Sequence, residues 1–360
     1  MQRKSNVICF IDSLGAGGAQ RQIVELANQL CKTGHVVQML VYHDVNFFQS
    51  SLNDNIELHI LPESSNIKRI FNTCRHIKYQ KPDCVISFLS APSIISCCVK
   101  LIYYHFKLIV SERNTTQHIG WNERIRFFLY RWADYIVPNS YSQEKFIKRH
   151  FPNLSEKTLT ITNCVDTNIF KPKISNSEAT DSTVTDILTI GRITEQKNVI
   201  RYIKAIKIII NRGYNIKVDW YGKYQDINYY NECLEEINNC KLQKVFIFHD
   251  ASNNIVEKYQ QADVFCLPSI YEGFPNVVCE AMSCSLPILC GDVCDNSNIV
   301  INKENGFLFD PYDVVSIADA LESFLKLNEY QIQKIRENNR KRALKKFSPN
   351  TFVAEYEKLL

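Results

Sequence analysis

The sequence predicts an α/β fold built as two doubly wound domains in tandem. Short apolar runs of strand type alternate with amphipathic helical stretches along the whole chain. The alternation lapses once, in a polar stretch near the middle, and then restarts with the same rhythm. At 360 residues the chain is long enough for two full cores, and its 45% hydrophobic and 22% charged content is that of a globular protein rather than a disordered one.

The first half opens with a strand at Asn6–Ile11 that runs into LGAGGAQRQIVELANQL. Gly15, Gly17 and Gly18 make a flexible turn before an amphipathic helix at Arg21–Leu30. Gln20 stands where a GxGxxG dinucleotide fingerprint would need its last glycine. The turn can bring backbone close to a phosphate or sugar, or it can serve only to pack the helix on its strand. Strands follow at Val36–Tyr42 and Ile56–Ile60, then a basic helix at Ile67–Tyr79, then strands at Cys84–Phe88 and Lys107–Val110. The long apolar stretch Ser93–Val110 is interrupted by Lys100, His105 and Lys107 and is not a spanning helix.

Ser111, Glu112, Arg113 and Asn114 come next, polar groups just past a strand end, where this class of fold places ligands. A surface turn with a helix cap would read the same way. Trp121–Trp132 (WNERIRFFLYRW) interleaves Arg124, Arg126 and Arg131 with Trp121, Phe127, Phe128, Tyr130 and Trp132. Such a helix can lie at a bilayer interface, or can face the core with its arginines solvated. A strand at Tyr135–Pro138, a helix at Ser140–His150 and a strand at Thr158–Thr162 complete this half.

Asn163–Lys173 is a turn-rich exit, and Ile174–Thr185 has no hydrophobic period, so the junction falls there, between domains at 1–170 and 184–347. The pattern then restarts with a strand at Asp186–Ile190, the loop GRITEQKN and a helix at Val199–Asn211. Lys217–Tyr221 is a strand closed by Gly222, Tyr229–Asn239 a helix, Val245–Phe248 a strand and Asn253–Gln260 a helix. A strand at Ala262–Leu267 leads to PSIYEGFPNVVCEAMSCSLP, with a helix at Asn276–Ser283 and a strand at Ile288–Cys290. Leu308–Phe309 is a short strand, and Val314–Leu327 and Tyr330–Phe347 are helices before SPNTFVAEYEKLL.

The stretch Pro268–Pro287 is strand, loop, helix, strand, so its two strands are expected to be parallel neighbours with the loop at the carboxyl edge of the sheet. Gly273 permits close backbone approach and Pro275 stiffens the helix entry. The first amides of that helix suit a phosphate. Glu272 in the loop and Glu280 one turn into the helix are acids beside an anion site. A ligand with phosphates and hydroxyl-rich rings reconciles the two, because carboxylates accept hydrogen bonds from hydroxyls. In GRITEQKN, Gly191 frees the strand end and Arg192 and Lys197 can neutralise a diphosphate. The first strand of a doubly wound sheet is usually central, so this loop and the Glu272 loop are expected to face each other.

Net charge is +4, from 42 Lys+Arg and 38 Asp+Glu, but it is uneven. Residues 1–170 hold 19 basic and 13 acidic side chains and seven of the eight histidines, which suits an anionic acceptor or membrane surface, or is ordinary fluctuation. The 14 cysteines are scattered, no CxxC pair recurs at zinc spacing, and many sit in apolar runs. The reading is a reducing cytoplasm and no structural metal. The start, MQRKSNVICFID, lacks the apolar region and cleavage site of a signal peptide.

Five motifs occur in order: the GGAQR turn, SERN after a strand, CVD-x3-F at the exit, GR-x4-K, and EGFPNVV-x-EAM. Together they resemble the retaining glycosyltransferases of family four, which cover most of the chain. The SERN form is similar to bacterial enzymes of surface polysaccharide, lipopolysaccharide, capsule and lipid-linked oligosaccharide synthesis. The resemblance implies two Rossmann-like domains facing across a cleft, the GT-B architecture, with an acceptor domain at 1–170, a donor domain at 184–347, and 348–360 crossing back onto the first. It implies that Arg192 and Lys197, beside Gly191, hold the donor diphosphate. Amides of Phe274, Asn276 and Val277, with Gly273 and Pro275, would meet the transferred sugar and its phosphate. Glu272 would bind the sugar, Glu280 the ribose, and Gly17 and Gly18 would approach the phosphate from the other domain.

Arg192, Lys197, Glu272 and Glu112 are the expected catalytic set, and Ser111, Arg113 and Asn114 the acceptor side. Many relatives carry a histidine at the strand end where this chain has Ser111-Glu112-Arg113, and His249 replaces a glycine after the third donor-domain strand. The expected reaction moves a hexose or N-acetylhexosamine from a nucleotide sugar, UDP-linked by preference, to a glycan or lipid-linked acceptor. The expected enzyme needs no cofactor and no metal, since no DxD motif stands near the donor loop. It would work in the cytoplasm, peripheral to the inner face of an anionic membrane, without a nucleic-acid partner. The alternatives are a GDP-mannose-dependent mannosyltransferase and a non-catalytic nucleotide-sugar-binding subunit. A nicotinamide enzyme is disfavoured by the failed glycine fingerprint, and a phosphorylase by the lack of a lysine motif for pyridoxal phosphate.

Overall fold

The computed structural model describes residues 4–63, 65–113, 116, 118–173, 184–252 and 254–360. The chain divides into two compact units, Met1–Cys164 with Pro349–Leu360, and Val165–Ser348. Each is an α/β unit around one parallel six-stranded sheet.

The first unit contains β1 (Asn6–Phe10), α1 (Gly18–Lys32), β2 (Val36–Val41), β3 (Glu57–Ile60), α2 (Asn66–Gln80), β4 (Cys84–Phe88), α3 (Ser90–Ile102), β5 (Lys107–Glu112), α4 (Trp121–Leu129), β6 (Tyr135–Pro138) and α5 (Tyr141–His150). Its sheet order is β3-β2-β1-β4-β5-β6, the doubly wound order. The central strands β1 and β4 are buried on both faces, so they read as continuous apolar runs. One face packs Ile23, Leu26 and Leu30 of α1 together with Phe352, Val353 and Tyr356, which lie in a helix at Pro349–Glu357. The other packs Ile77, Ile95, Phe127, Tyr130 and Ile147.

Several expectations change here. The helix α1 starts at Gly18 rather than Arg21. Ser90–Ile102 is a helix across the stretch read as an interrupted apolar run, with the Lys100 ammonium taken up by the Phe106 carbonyl and Asp134. Thr158–Thr162 is not a strand: only Thr158 makes a bridge, to Ile136. Trp121–Trp132 is an α-helix only to Leu129, with a tighter turn at Tyr130–Trp132. The strand β5 runs on through Ser111 and Glu112 instead of ending at Val110.

The second unit contains β7 (Thr185–Ile190), α6 (Val199–Asn211), β8 (Ile216–Tyr221), α7 (Ile227–Asn239), β9 (Phe246–His249), α8 (Ile255–Gln261), β10 (Val264–Leu267), α9 (Asn276–Ser283), β11 (Ile288–Gly291), α10 (Asn296–Ile299), β12 (Gly306–Phe309), α11 (Val314–Leu325) and α12 (Glu329–Lys346); the helix at Pro349–Glu357 is α13. Its order, β12-β11-β10-β7-β8-β9, is the same winding. The strand β10 pairs in parallel with β11 on one side and β7 on the other. The carboxyl ends of β7 and β10 are therefore adjacent.

The division falls after Cys164, earlier than the expected junction. Residues 165–173 go with the second unit because Arg340 of α12 donates to the carbonyls of Thr167 and Phe170, and the Ser283 hydroxyl donates to Phe170 as well. Residues 174–183, where the sequence places the junction, lie outside the described residues. Among the described residues no helix is long and apolar enough to cross a membrane.

Candidate active site

The site is assembled at the carboxyl edge of the second sheet. After β7 the chain turns at Gly191, passes exposed Arg192, and makes a short helical turn at Glu195–Lys197. A Cβ on Gly191 would lie 3.1 Å from Cε of Lys197, so the glycine gives that side chain its path over the strand end. The Lys197 ammonium donates to Oε1 of Glu272, which comes from the loop after β10. Both side chains are about nine-tenths buried, at 11% and 10% exposure. Backbone and side chain of Gln196 fasten the same loops: Ile270 N–H donates to the Gln196 carbonyl and Gln196 Nε2 to the Tyr271 carbonyl, each at 2.9 Å.

The helix α9 begins after Pro275, and no side chain caps its first turn. Its first turn carries the positive end of the helix dipole, which favours an anion. Two amides of that turn are engaged within the chain, Asn276 turning back on the Phe274 carbonyl and Val278 on the Pro275 carbonyl, each at 3.0 Å. The expected set of Phe274, Asn276 and Val277 amides is reduced accordingly. Phe274 is buried with Phe347 and anchors the loop behind Gly273. Glu280 lies on α9 and is 6% exposed, with the Tyr259 hydroxyl donating to its Oε2 at 2.9 Å and to the Val277 carbonyl at 3.2 Å. Sequence reasoning missed Tyr259, Gln196 and Asn198. It also missed Cys294, an exposed thiol in the electrostatic surroundings of Glu272. Of these, only Gln196 and Asn198 lay inside a motif already singled out.

The glycine turn of the first unit stands at the start of α1, with Gly17 at the cap position and Gly18 in the helix. Gln20 folds back and donates to Asp12 Oδ1 at 3.1 Å, and the Ser13 amide meets the same oxygen at 2.7 Å. Ser111, Glu112 and Arg113 do not form the polar strand end that was expected. Ser111 is fully buried, its hydroxyl engaged with the Val137 carbonyl and the Tyr356 hydroxyl at 3.0 and 3.2 Å. Arg113 donates to Asn163 Oδ1 at 2.6 Å and to the Tyr356 hydroxyl, and its guanidinium lies 4.2 Å from the Phe88 ring centre.

Glu112 is 1% exposed, accepts from the Tyr130 hydroxyl and faces Arg126 at 3.7 Å. Burial pushes its carboxyl above the usual range, against the pull of Arg126 and Tyr130. Arg126 also donates to Ser90 and Thr116, at 2.7 and 2.8 Å. These groups are held by the unit's own interior rather than presented at an open strand end. Asn114 lies outside the described residues.

Two Rossmann-like units, with cations and acids gathered at the carboxyl edge of the second, are the architecture of the GT-B glycosyltransferases. Solved structures share the fold. A glycosyltransferase from Rickettsia africae superposes with a TM-score of 0.86 at 17% identity, over 99% of this chain and 98% of that one. Anabaena HepE in complex with UDP gives 0.84 at 16% identity, over 98% of each.

The sequence then fixes the family. The family model for Glycosyltransferase Family 4 matches residues 16–169, and that for Glycosyl transferases group 1 matches residues 170–342. The chain belongs to these glycosyltransferases. It is 25% identical, over 98% of its length and 97% of the relative's, to a Campylobacter jejuni enzyme named as an alpha-1,4-N-acetyl-D-galactosaminyltransferase acting on an undecaprenol-diphosphate-linked glycan. It is 30% identical over 170 residues, 47% of this chain and 44% of the relative, to the capsular polysaccharide glycosyltransferase CapM of Staphylococcus aureus.

Proposed function

We propose that this glycosyltransferase moves a hexose or N-acetylhexosamine from a UDP-sugar to a lipid-linked glycan, with retention at the anomeric carbon. The observation that carries the reading is the joining of the Lys197 and Glu272 loops just before the start of α9, which no side chain caps. Departure of the nucleotide places negative charge on the β-phosphate. Arg192, Lys197 and the dipole of α9 would stabilise it there, as preorganised charge that needs no metal. Glu272 would accept hydrogen bonds from sugar hydroxyls, and Glu280, held by Tyr259, from the ribose. The relative that acts on an undecaprenol-diphosphate-linked glycan supports the acceptor class, and an Escherichia coli relative named as a UDP-Gal-dependent galactosyltransferase, 29% identical over 177 residues, supports the nucleotide.

A peripheral membrane position is supported by α4. Trp121, Ile125 and Phe128 are exposed at helical spacing, Trp121 by 82%, beside exposed Arg124 and Arg131.

The test is purified protein with a panel of UDP- and GDP-sugars, EDTA present, read by thermal shift, by nucleotide release onto a polyprenyl-diphosphate-linked saccharide, and by NMR of the product's anomeric centre. A shift and turnover with a UDP-sugar, giving a product of unchanged anomeric configuration, is the expected result. GDP-mannose turnover alone would overturn the nucleotide assignment. Ligand binding without transfer to any acceptor would favour a non-catalytic subunit, and activity only on adding back a divalent ion would overturn metal independence.

A further inference from the structure

The loop GRITEQKN ends in Asn198, which the donor-site reading leaves without a part. Asn198 is 3% exposed and holds a left-handed backbone, φ 59° and ψ 37°, one that asparagine tolerates better than most residues with a Cβ. That conformation ends the turn carrying Lys197 and starts α6. Its side chain reaches two further loops. Nδ2 donates to the Pro268 carbonyl at 3.1 Å and to the Pro311 carbonyl at 2.6 Å. Oδ1 accepts from Arg201 of α6 at 3.1 Å.

An amide has two donor hydrogens, and here each finds one carbonyl. The two carbonyls lie in the loops after β10 and β12, so a single side chain ties the loops after three strands of one sheet, β7, β10 and β12, together. The position next to Lys197 and the Pro268 carbonyl four residues before Glu272 put this tie between the two members of the ion pair.

We infer that Asn198 is a positioning residue for the donor site, fixing the Lys197 loop against the Glu272 loop so that the cation and the acid stand ready before the donor arrives. The inference rests on the donor-site reading proposed above. It assigns Asn198 no contact with the substrate. Its contribution is preorganisation: a ligand that meets loops already fixed does not have to order them.

Two substitutions separate the tie from the backbone conformation. Asn198→Gly keeps the left-handed turn and removes the amide. Asn198→Asp keeps size and turn tolerance, but puts an acceptor opposite two carbonyls. Arg201→Ala removes the partner of Oδ1, together with the guanidinium over the Tyr312 ring, and leaves both carbonyl bonds. The measurements are UDP-sugar affinity by calorimetry, kcat and donor KM, the urea midpoint, and amide hydrogen exchange at Ile270 and Lys197, whose N–H groups bond within these loops.

The expected result is a donor Kd raised about tenfold or more in Asn198→Gly and further in Asn198→Asp, and within about threefold of native in Arg201→Ala. Exchange at Ile270 should accelerate in the first two alone. A native Kd for the folded fraction of Asn198→Gly, with only the urea midpoint lowered, would overturn the inference and leave the donor-site reading standing. So would an Arg201→Ala protein that behaves like Asn198→Gly. A native protein that binds no nucleotide sugar would overturn both.

Discussion

Lys197 reaches across to Glu272, 75 residues later in the chain, and the two form an ion pair at the edge of the second sheet. Neither is free to sample solvent widely, so each is oriented by the other while the site waits for its ligand. Breaking one side of such a buried pair leaves an uncompensated charge. Lys197→Ala is expected to cost about 3 kcal/mol of stability, and Glu272→Gln less, since the amide oxygen still accepts from the ammonium. Turnover should fall about 100-fold in Lys197→Ala if it meets the departing phosphate. Urea titrations and initial rates of both single variants and the Lys197→Met/Glu272→Gln double variant measure the coupling. Strict additivity of the two stability losses would mean that the pair carries no energy.

Tyr259→Phe removes the hydroxyl that serves Glu280 and the Val277 carbonyl. The loss leaves buried acceptors short of a donor and should cost about 1–3 kcal/mol. With Glu280 held by one hydrogen bond fewer, donor KM should rise while kcat stays near native. A fall in kcat at unchanged KM would place Glu280 in the chemical step rather than in ribose binding.

Gly222 is required for packing, at a position where a Cβ would come 2.1 Å from the Gly191 carbonyl oxygen. Gly222→Ala should therefore push the start of the Arg192 loop and destabilise by about 2 kcal/mol or more. Gly213 is the control: its φ is +89°, with nothing within 4 Å of an added Cβ. Gly213→Ala should cost only its backbone strain, about 1 kcal/mol, and leave donor affinity unchanged. Equal urea midpoints for the two variants would contradict the close approach.

His76 sits half-buried against His59, ring centres 4.5 Å apart. Burial, and then His59, lower its pKa to about 4, with Glu57 opposing. An unfolded imidazole takes its proton near 6.5, so between about pH 6.5 and 4 the unfolded chain binds more protons than the native one. This group's contribution is fully present above the upper limit and is lost as the pH falls through the window. His76→Gln should flatten the dependence of the urea midpoint on pH there. An unchanged slope would rule out His76 as its source.

Much of the fold was legible locally. The strand at Cys84–Phe88 and the helices at Val199–Asn211 and Asn276–Ser283 stand where their apolar periodicity put them. The meeting of the Lys197 and Glu272 loops followed from strand order alone, because β7 and β10 are neighbours in a doubly wound sheet. What failed was long-range. Ser111 and Glu112 look like loop residues, and what makes them strand is burial by Tyr356 and Tyr130, from elsewhere in the chain. The helix α3 was hidden by Lys100, whose charge finds Asp134 only in the folded unit. Tyr259 is one of 18 tyrosines, and nothing near it in sequence marks it as the partner of Glu280.

The helix at Pro349–Glu357 has a consequence for the order of assembly. Phe352, Val353, Tyr356 and Leu359 complete the core that Val7, Ile23 and Phe88 begin, yet all of Val165–Ser348 is synthesised between them. Domains emerging from a ribosome ordinarily fold in the order they are made. Here the second unit can close its core while the first still lacks a wall, and the hydroxyl that engages Ser111 and Arg113 arrives last. A nascent chain stalled at Ser348 should therefore protect the second sheet from protease and leave the first sheet open to it.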